Sequence, residues 1–240
     1  MSDAAPVLVQ AEGLGRDFGK VTAVAEVGFT LHAGELVGLV GPNGAGKSTT
    51  LKLLTGALLP TRGRVLVDGI EVADDPNAAR ARMGIVPEDP HLYEYLSARE
   101  MISFAARIRG APAEQVEEAL ALTGLGDDAD RLIREYSQGM RRKTALAAAM
   151  VAKPPVLVLD EALNGLDPPS AARVVRALRR SCDAGAVVLL STHVLDTLER
   201  VADRIIMIRS GRVHADVPAS ELPRLREEFE LDEPTAEPVA

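Results

Sequence analysis

The chain has 240 residues, a formal net charge of −8 at pH 7, a hydrophobic share of 47% and an aromatic share of 3%. That length suits one large domain, or a domain with a subdomain, built on an aliphatic core. Apolar runs such as residues 186–190 are far too short to cross a bilayer, no charged-then-apolar leader opens the chain, and the one cysteine, Cys182, excludes an internal disulfide.

The charge is uneven. From Asp216 onward eight acids face two arginines, which is −6 and leaves −2 for the body. A nearly neutral body argues against nucleic acid as a partner. Residues 216–240 are expected to form a solvated, partly disordered acidic tail. Cys182 reads as a small buried apolar side chain in a reducing compartment.

In chain order, residues 7–9 and 21–31 read as strands of an antiparallel hairpin sheet, with Gly13, Gly15 and Gly19 as turn markers. Phe18 is either a core plug or a platform for a flat base, and taken alone the sequence favours the plug. Residues 35–40 form a buried strand, followed by a glycine-rich loop and a helix over 49–54. Residues 64–69 are a short strand with a Gly turn, and Asp75-Pro76 caps and starts a short helix. The strand 84–86 ends at Pro87-Glu88-Asp89-Pro90, where two prolines enforce a loop. From 97 to 125 the pattern is helical throughout, with a capping box over Ser97-Ala98-Arg99-Glu100 and a restart at Pro112. Ser137 caps a long helix ending near Ala152. Residues 156–159 are apolar on both faces, like a central parallel strand. Asp167-Pro168-Pro169 starts another helix, and strands over 186–190 and 204–208 flank a helix over 194–201. Strands alternating with helices predict a mostly parallel α/β core.

Gly41-Pro42-Asn43-Gly44-Ala45-Gly46-Lys47-Ser48-Thr49 fits the phosphate-loop pattern G-x-x-x-x-G-K-[ST], with strand before and helix after. A triphosphate crowds several negative charges together. Glycines let the backbone turn its N–H groups inward, the helix adds its positive end, Lys47 adds a full charge, and the Ser48 hydroxyl can ligate Mg²⁺. Asp160 and Glu161 follow a buried strand, where open α/β sheets hold their ligands. One carboxylate there can hold Mg²⁺ and its neighbour can polarise a water. Elsewhere two such acids would read as solvated. His193 ends another apolar strand, where an imidazole can sense a γ-phosphate, although a lone histidine is more often structural. Ser137-Gln138-Gly139 leaves a second bare helix N-terminus, which makes sense if it addresses a nucleotide on another copy.

On these residues the chain resembles the ATP-binding subunit of an ABC transporter, over nearly everything up to about Arg212. Gly41 to Thr49 matches Walker A, Asp160-Glu161 Walker B with its catalytic glutamate, Asn164-Gly165-Leu166-Asp167 the D-loop, and His193 the switch histidine. Tyr136 to Met140 stands at the signature and Phe18 at the adenine-stacking aromatic. The resemblance implies a P-loop NTPase fold with an antiparallel β subdomain and an all-helical insert. Its implied divisions are 1–88 (β subdomain and first part of the core), 89–136 (helical subdomain), 137–215 (signature helix and remainder of the core) and 216–240 (tail). It implies ATP and Mg²⁺ as cofactors, the metal on Ser48, Asp160 and Glu88. Two copies would close head to tail on two ATPs and drive a separate membrane permease, the chain lying on the cytoplasmic face of the membrane.

Two departures stand out. Gln138 replaces a signature glycine and Met140 its final glutamine, a Y-S-x-G-M form similar to ABC-2 type exporters. Glu88 replaces the Q-loop glutamine: a carboxylate ligates Mg²⁺ but cannot donate as an amide does, so slower or differently coupled hydrolysis is expected. Rival readings are a soluble ABC-type ATPase without a permease, disfavoured by the lack of a tandem cassette or long coiled coil, and a regulatory subunit with weak hydrolysis. A GTPase would need an N-K-x-D motif, which is missing.

Overall fold

A computed structural model describes residues 5–192, 195–224 and 226 of the chain. Val7–Phe18 (β1) and Val21–His32 (β2) form a long antiparallel hairpin. Leu36–Val40 (β3) is buried at every position and leads into Lys47–Leu54 (α1). Arg62–Val67 (β4) and Ile70–Glu71 (β5) extend the antiparallel part, then come Pro76–Ala81 (α2) and Met83–Val86 (β6). Ala98–Ile108 (α3), Ala113–Thr123 (α4) and Gln138–Met150 (α5) follow without an intervening strand. Val156–Asp160 (β7), Pro168–Asp183 (α6), Val187–Ser191 (β8), Leu195–Val201 (α7), Arg204–Arg209 (β9) and Arg212–Pro218 (β10) complete the described fold.

The strands form one ten-stranded sheet in the order β5-β4-β1-β2-β10-β9-β3-β8-β7-β6. The run β9-β3-β8-β7-β6 is parallel, and the β5-β4-β1-β2 run is antiparallel. One apolar cluster joins the antiparallel sheet to α1, with Leu14, Leu31, Leu39, Leu53 and Met83 inside it. A second lies on the other face of the parallel strands, against α5, α6 and α7. A third unites α3, α4 and α5 around Ile102, Ile133 and Tyr136. Each wholly buried leucine stabilises the fold by about 1.5–3 kcal/mol.

Helix starts follow local chemistry. Asp75 accepts from the Ala78 N–H and Asp167 from the Ser170 N–H, each with proline in the first turn. Ser97 and Glu100 complete the reciprocal capping box.

Two expectations change. Gly13 and Gly15 lie inside β1, at breaks in its register with β2, and only Gly19 marks the turn between strands. Extra residues there bend the strand without ending it. The start of the expected tail is also ordered: Asp216 belongs to β10, and its carboxylate takes two hydrogen bonds from the Arg204 guanidinium, 2.5 and 2.6 Å. Bidentate pairing offsets the acid's preference for solvent.

Cys182 is buried on α6, its Sγ 3.4 Å from the Glu35 carbonyl, and burial pushes its thiol up to about 11. Thiol reactivity follows the thiolate. Cys182 should therefore resist an aromatic disulfide reagent at pH 8 until the protein is unfolded. Labelling of native protein at the rate of a free thiol would contradict this packing.

Candidate active site

The parallel strands end on one edge, and β8 lies between β3 and β7 there. Ser191 of β8 pairs with Leu39 on one side and Asp160 on the other, while Val86 pairs with Leu159. The loops leaving β3, β6 and β7 therefore emerge on the same edge, carrying Gly41–Gly46, Glu88 and Glu161, with Asp160 the last residue of β7.

The loop after β3 is wedged between neighbouring backbones. Gly41 has φ +154°, and a Cβ there would lie 2.2 Å from the Ile208 carbonyl oxygen. Gly46 has φ +106°, with the Ala23 carbonyl 2.6 Å from a Cβ. No other residue fits either place. Gly211 N–H donates to the Ala45 carbonyl at 2.9 Å, fixing the loop from the far side, and Thr50 donates to the Gly46 carbonyl at 2.9 Å. Lys47 Nζ arches back to donate to the carbonyls of Gly41, 2.6 Å, and Pro42, 3.1 Å. Ser48 and Thr49 lie half-buried in the first turn of α1, and Asn43 and Gly44 are exposed at the loop's tip.

Burial lowers the pKa of the Lys47 ammonium, opposed by the negative charges of Glu161, Asp160 and Glu88. The fold thus brings these four residues into one electrostatic neighbourhood. Asp160 is only 8% exposed, and its Oδ1 accepts the Ser191 hydroxyl at 2.5 Å. The Ser191 oxygen in turn accepts the Glu161 N–H at 3.0 Å. Glu161 has φ +49°, a left-handed conformation that costs a non-glycine residue about 1–2 kcal/mol. Asn164 Nδ2 donates to Glu161 Oε2 at 2.6 Å.

Glu88 is exposed, and its backbone carbonyl accepts from Arg142 Nη2 at 2.8 Å. Phe18 is 45% exposed at the tip of the β1–β2 hairpin, with the Arg16 guanidinium 4.7 Å from its ring centre. The plug reading is corrected: a strand end at a hairpin tip has no core to fill, and one aromatic face is covered by a cation instead. Ser137 and Gln138 are exposed at the start of α5, where the Ser137 hydroxyl accepts the Met140 N–H at 3.3 Å. A Cβ on Gly139 would lie 3.3 Å from the Gly165 carbonyl, so the start of α5 rests on the segment after Glu161. His193 lies outside the described residues.

The sequence reading gave no role to Ser191 or Arg142, and it placed Asn164 in the D-loop without a partner. Ser191 carried a signal, since it is the polar end of a strand as apolar as the one ending in Asp160. Asn164 stands three residues after Glu161, within reach across one turn. Arg142 gave none, because its partners are remote in sequence.

The family model described as "ABC transporter" matches residues 24–164. The daunorubicin/doxorubicin resistance ATP-binding protein DrrA of Streptomyces peucetius is 38% identical over 89% of this chain and 66% of its own length. The Nod factor export ATP-binding protein I of Burkholderia lata is 38% identical over 83% of this chain and 67% of its own. The chain thus spans about two thirds of these curated relatives. A solved structure titled "Structure of ATP binding subunit of ABC transporter" superposes with a TM-score of 0.84 at 32% identity, covering 95% of both chains. With that match, and with a phosphate loop and paired acids on one edge of a P-loop NTPase sheet, the chain belongs to the ABC transporter family, among its ATP-binding subunits.

Proposed function

We propose that the chain hydrolyses Mg-ATP as one half of a head-to-tail dimer and drives export through a separate membrane permease. The convergence of Lys47, Asp160 and Glu161 on one strand edge carries this reading. Loop N–H groups and Lys47 neutralise the phosphates, and Phe18 offers its uncovered face to the adenine. Glu161 takes a proton from the attacking water. Walker A residues Gly41 to Thr49 cradle one nucleotide, while Ser137, Gln138 and Gly139 of the other copy close over it. His193 would contact the γ-phosphate.

Among the described residues no group of three His, Cys, Asp or Glu could cage a metal alone. That suits Mg²⁺, which keeps several waters and phosphate oxygens around one or two protein ligands. Ser48 and Asp160, with Glu88 beside them, would hold the ion, which supplies charge neutralisation at the phosphates when bound.

No described helix is long and apolar enough to cross a membrane, so transport requires a partner that does. Tyr93, Tyr95, Phe104 and Ile108 are exposed around α3 and the loop before it, with Tyr93 and Phe104 edge to face at 5.7 Å. Exposed aromatic and aliphatic groups of this kind suit a permease's cytoplasmic segments. Similarity to resistance and export proteins supports the outward direction.

Complementation tests the shared site. Lys47→Ala spoils the phosphate loop and Ser137→Arg spoils the opposing helix start, so each chain alone should be inactive. A mixed dimer retains one intact site, and mixing the two should restore Mg-ATP turnover. No recovery, although both variants fold and associate with each other, would defeat the shared-site reading.

A further inference from the structure

Under the function proposed above, Glu161 must hold its carboxylate in one direction while seated on left-handed backbone. We propose that Asn164 and Arg142 are positioning residues for that carboxylate. Asn164 does the holding: its Nδ2 donates to Glu161 Oε2 at 2.6 Å, and its own N–H donates to the Glu161 carbonyl at 3.1 Å, closing a tight turn. Arg142 holds Asn164. One arm of its guanidinium, Nη1, donates to the Asn164 carbonyl, and the other, Nη2, donates to the Glu88 carbonyl at 2.8 Å.

A guanidinium presents its donors in a rigid planar fork, so two carbonyls bound to its two arms are held at a fixed separation. Here those carbonyls belong to the loop after β6 and the turn after β7. Arg142 also lies one turn into α5, the helix that begins beside Ser137. Three segments are thereby locked to one side chain: the start of α5, the loop that carries Glu88, and the turn that aims the general base. Movement of the first two is passed to Glu161 through Asn164. Lysine could not substitute, since a single ammonium on a flexible stem does not fix two acceptors at once.

The test combines kinetics with hydrogen exchange. In Arg142→Lys and in Asn164→Ala, kcat is expected to fall about 10- to 100-fold with KM for ATP shifting less than about twofold, since a misplaced reacting group of about 1 Å costs on that order. The double variant should lose no more than the worse single variant, because both act through one carboxylate. Multiplicative losses, or a raised KM with kcat unchanged, would overturn the proposal. Independently of turnover, Arg142→Lys should speed amide exchange together at residues 88–91 and 161–166 while α1 stays protected. Exchange that rises in only one segment, or in neither, also overturns it. A wild-type chain that binds Mg-ATP without turnover would instead remove the hydrolytic function, and exchange would still judge the clamp.

Discussion

Glu161→Gln is expected to cut ATP turnover by about 100- to 10,000-fold, the range a positioned general base supplies, and to accumulate an ATP-dependent dimer. The substitution keeps the length of the side chain and an oxygen able to accept from Asn164 Nδ2. It removes the basic lone pair and one negative charge from the neighbourhood of Lys47, whose ammonium feels Glu161, Asp160 and Glu88 together. Nucleotide binding should therefore persist or tighten while hydrolysis stops. If the phosphates join the loop of one copy to Ser137 and Gly139 of the other, a nucleotide that is not cleaved keeps the copies together. Light scattering with saturating Mg-ATP reads the mass. A variant that binds nucleotide yet stays monomeric would sink the dimer mechanism.

The second large effect is in the backbone. Gly41→Ala would place a methyl 2.2 Å from the Ile208 carbonyl, on a residue at φ +154°. Backbone of β9 cannot rotate aside as a side chain could. The cost should be about 2–4 kcal/mol, lowering the melting temperature by about 5–15 °C for a chain of this size. Gly44→Ala provides the control. Gly44 has φ +78°, but nothing lies within 4 Å of a Cβ there, so only conformational strain of about 1–2 kcal/mol applies. Thermal melts of the two variants should separate clearly. Coincident melts would show that the loop is not wedged as described.

Features legible in the sequence were those set by near neighbours. Caps at Asp75, Ser97, Ser137 and Asp167 were readable because each acceptor meets an N–H three residues away. Strands β3, β7 and β8 were readable because burial on both faces demands an unbroken apolar run. What distance decides was not legible. Gly13 and Gly15 mimic turns, and only pairing with β2 and β4 keeps them in a strand. The β10 strand alternates exposed and half-buried positions without a fully apolar face, so its place depends on β9. Arg142 resembles any solvated arginine of a basic helix, since its two acceptors stand 22 and 54 residues away.

The strand order also bears on how a newly made chain matures. β8 is synthesised after β3 and β7 yet comes to rest between them. While the polypeptide leaves the ribosome, the glycine loop and the acidic pair already exist but are not yet spaced by their common neighbour. The glycine loop and the acidic pair can therefore reach their native spacing only once residues 187–191 have been made, well after both motifs have emerged.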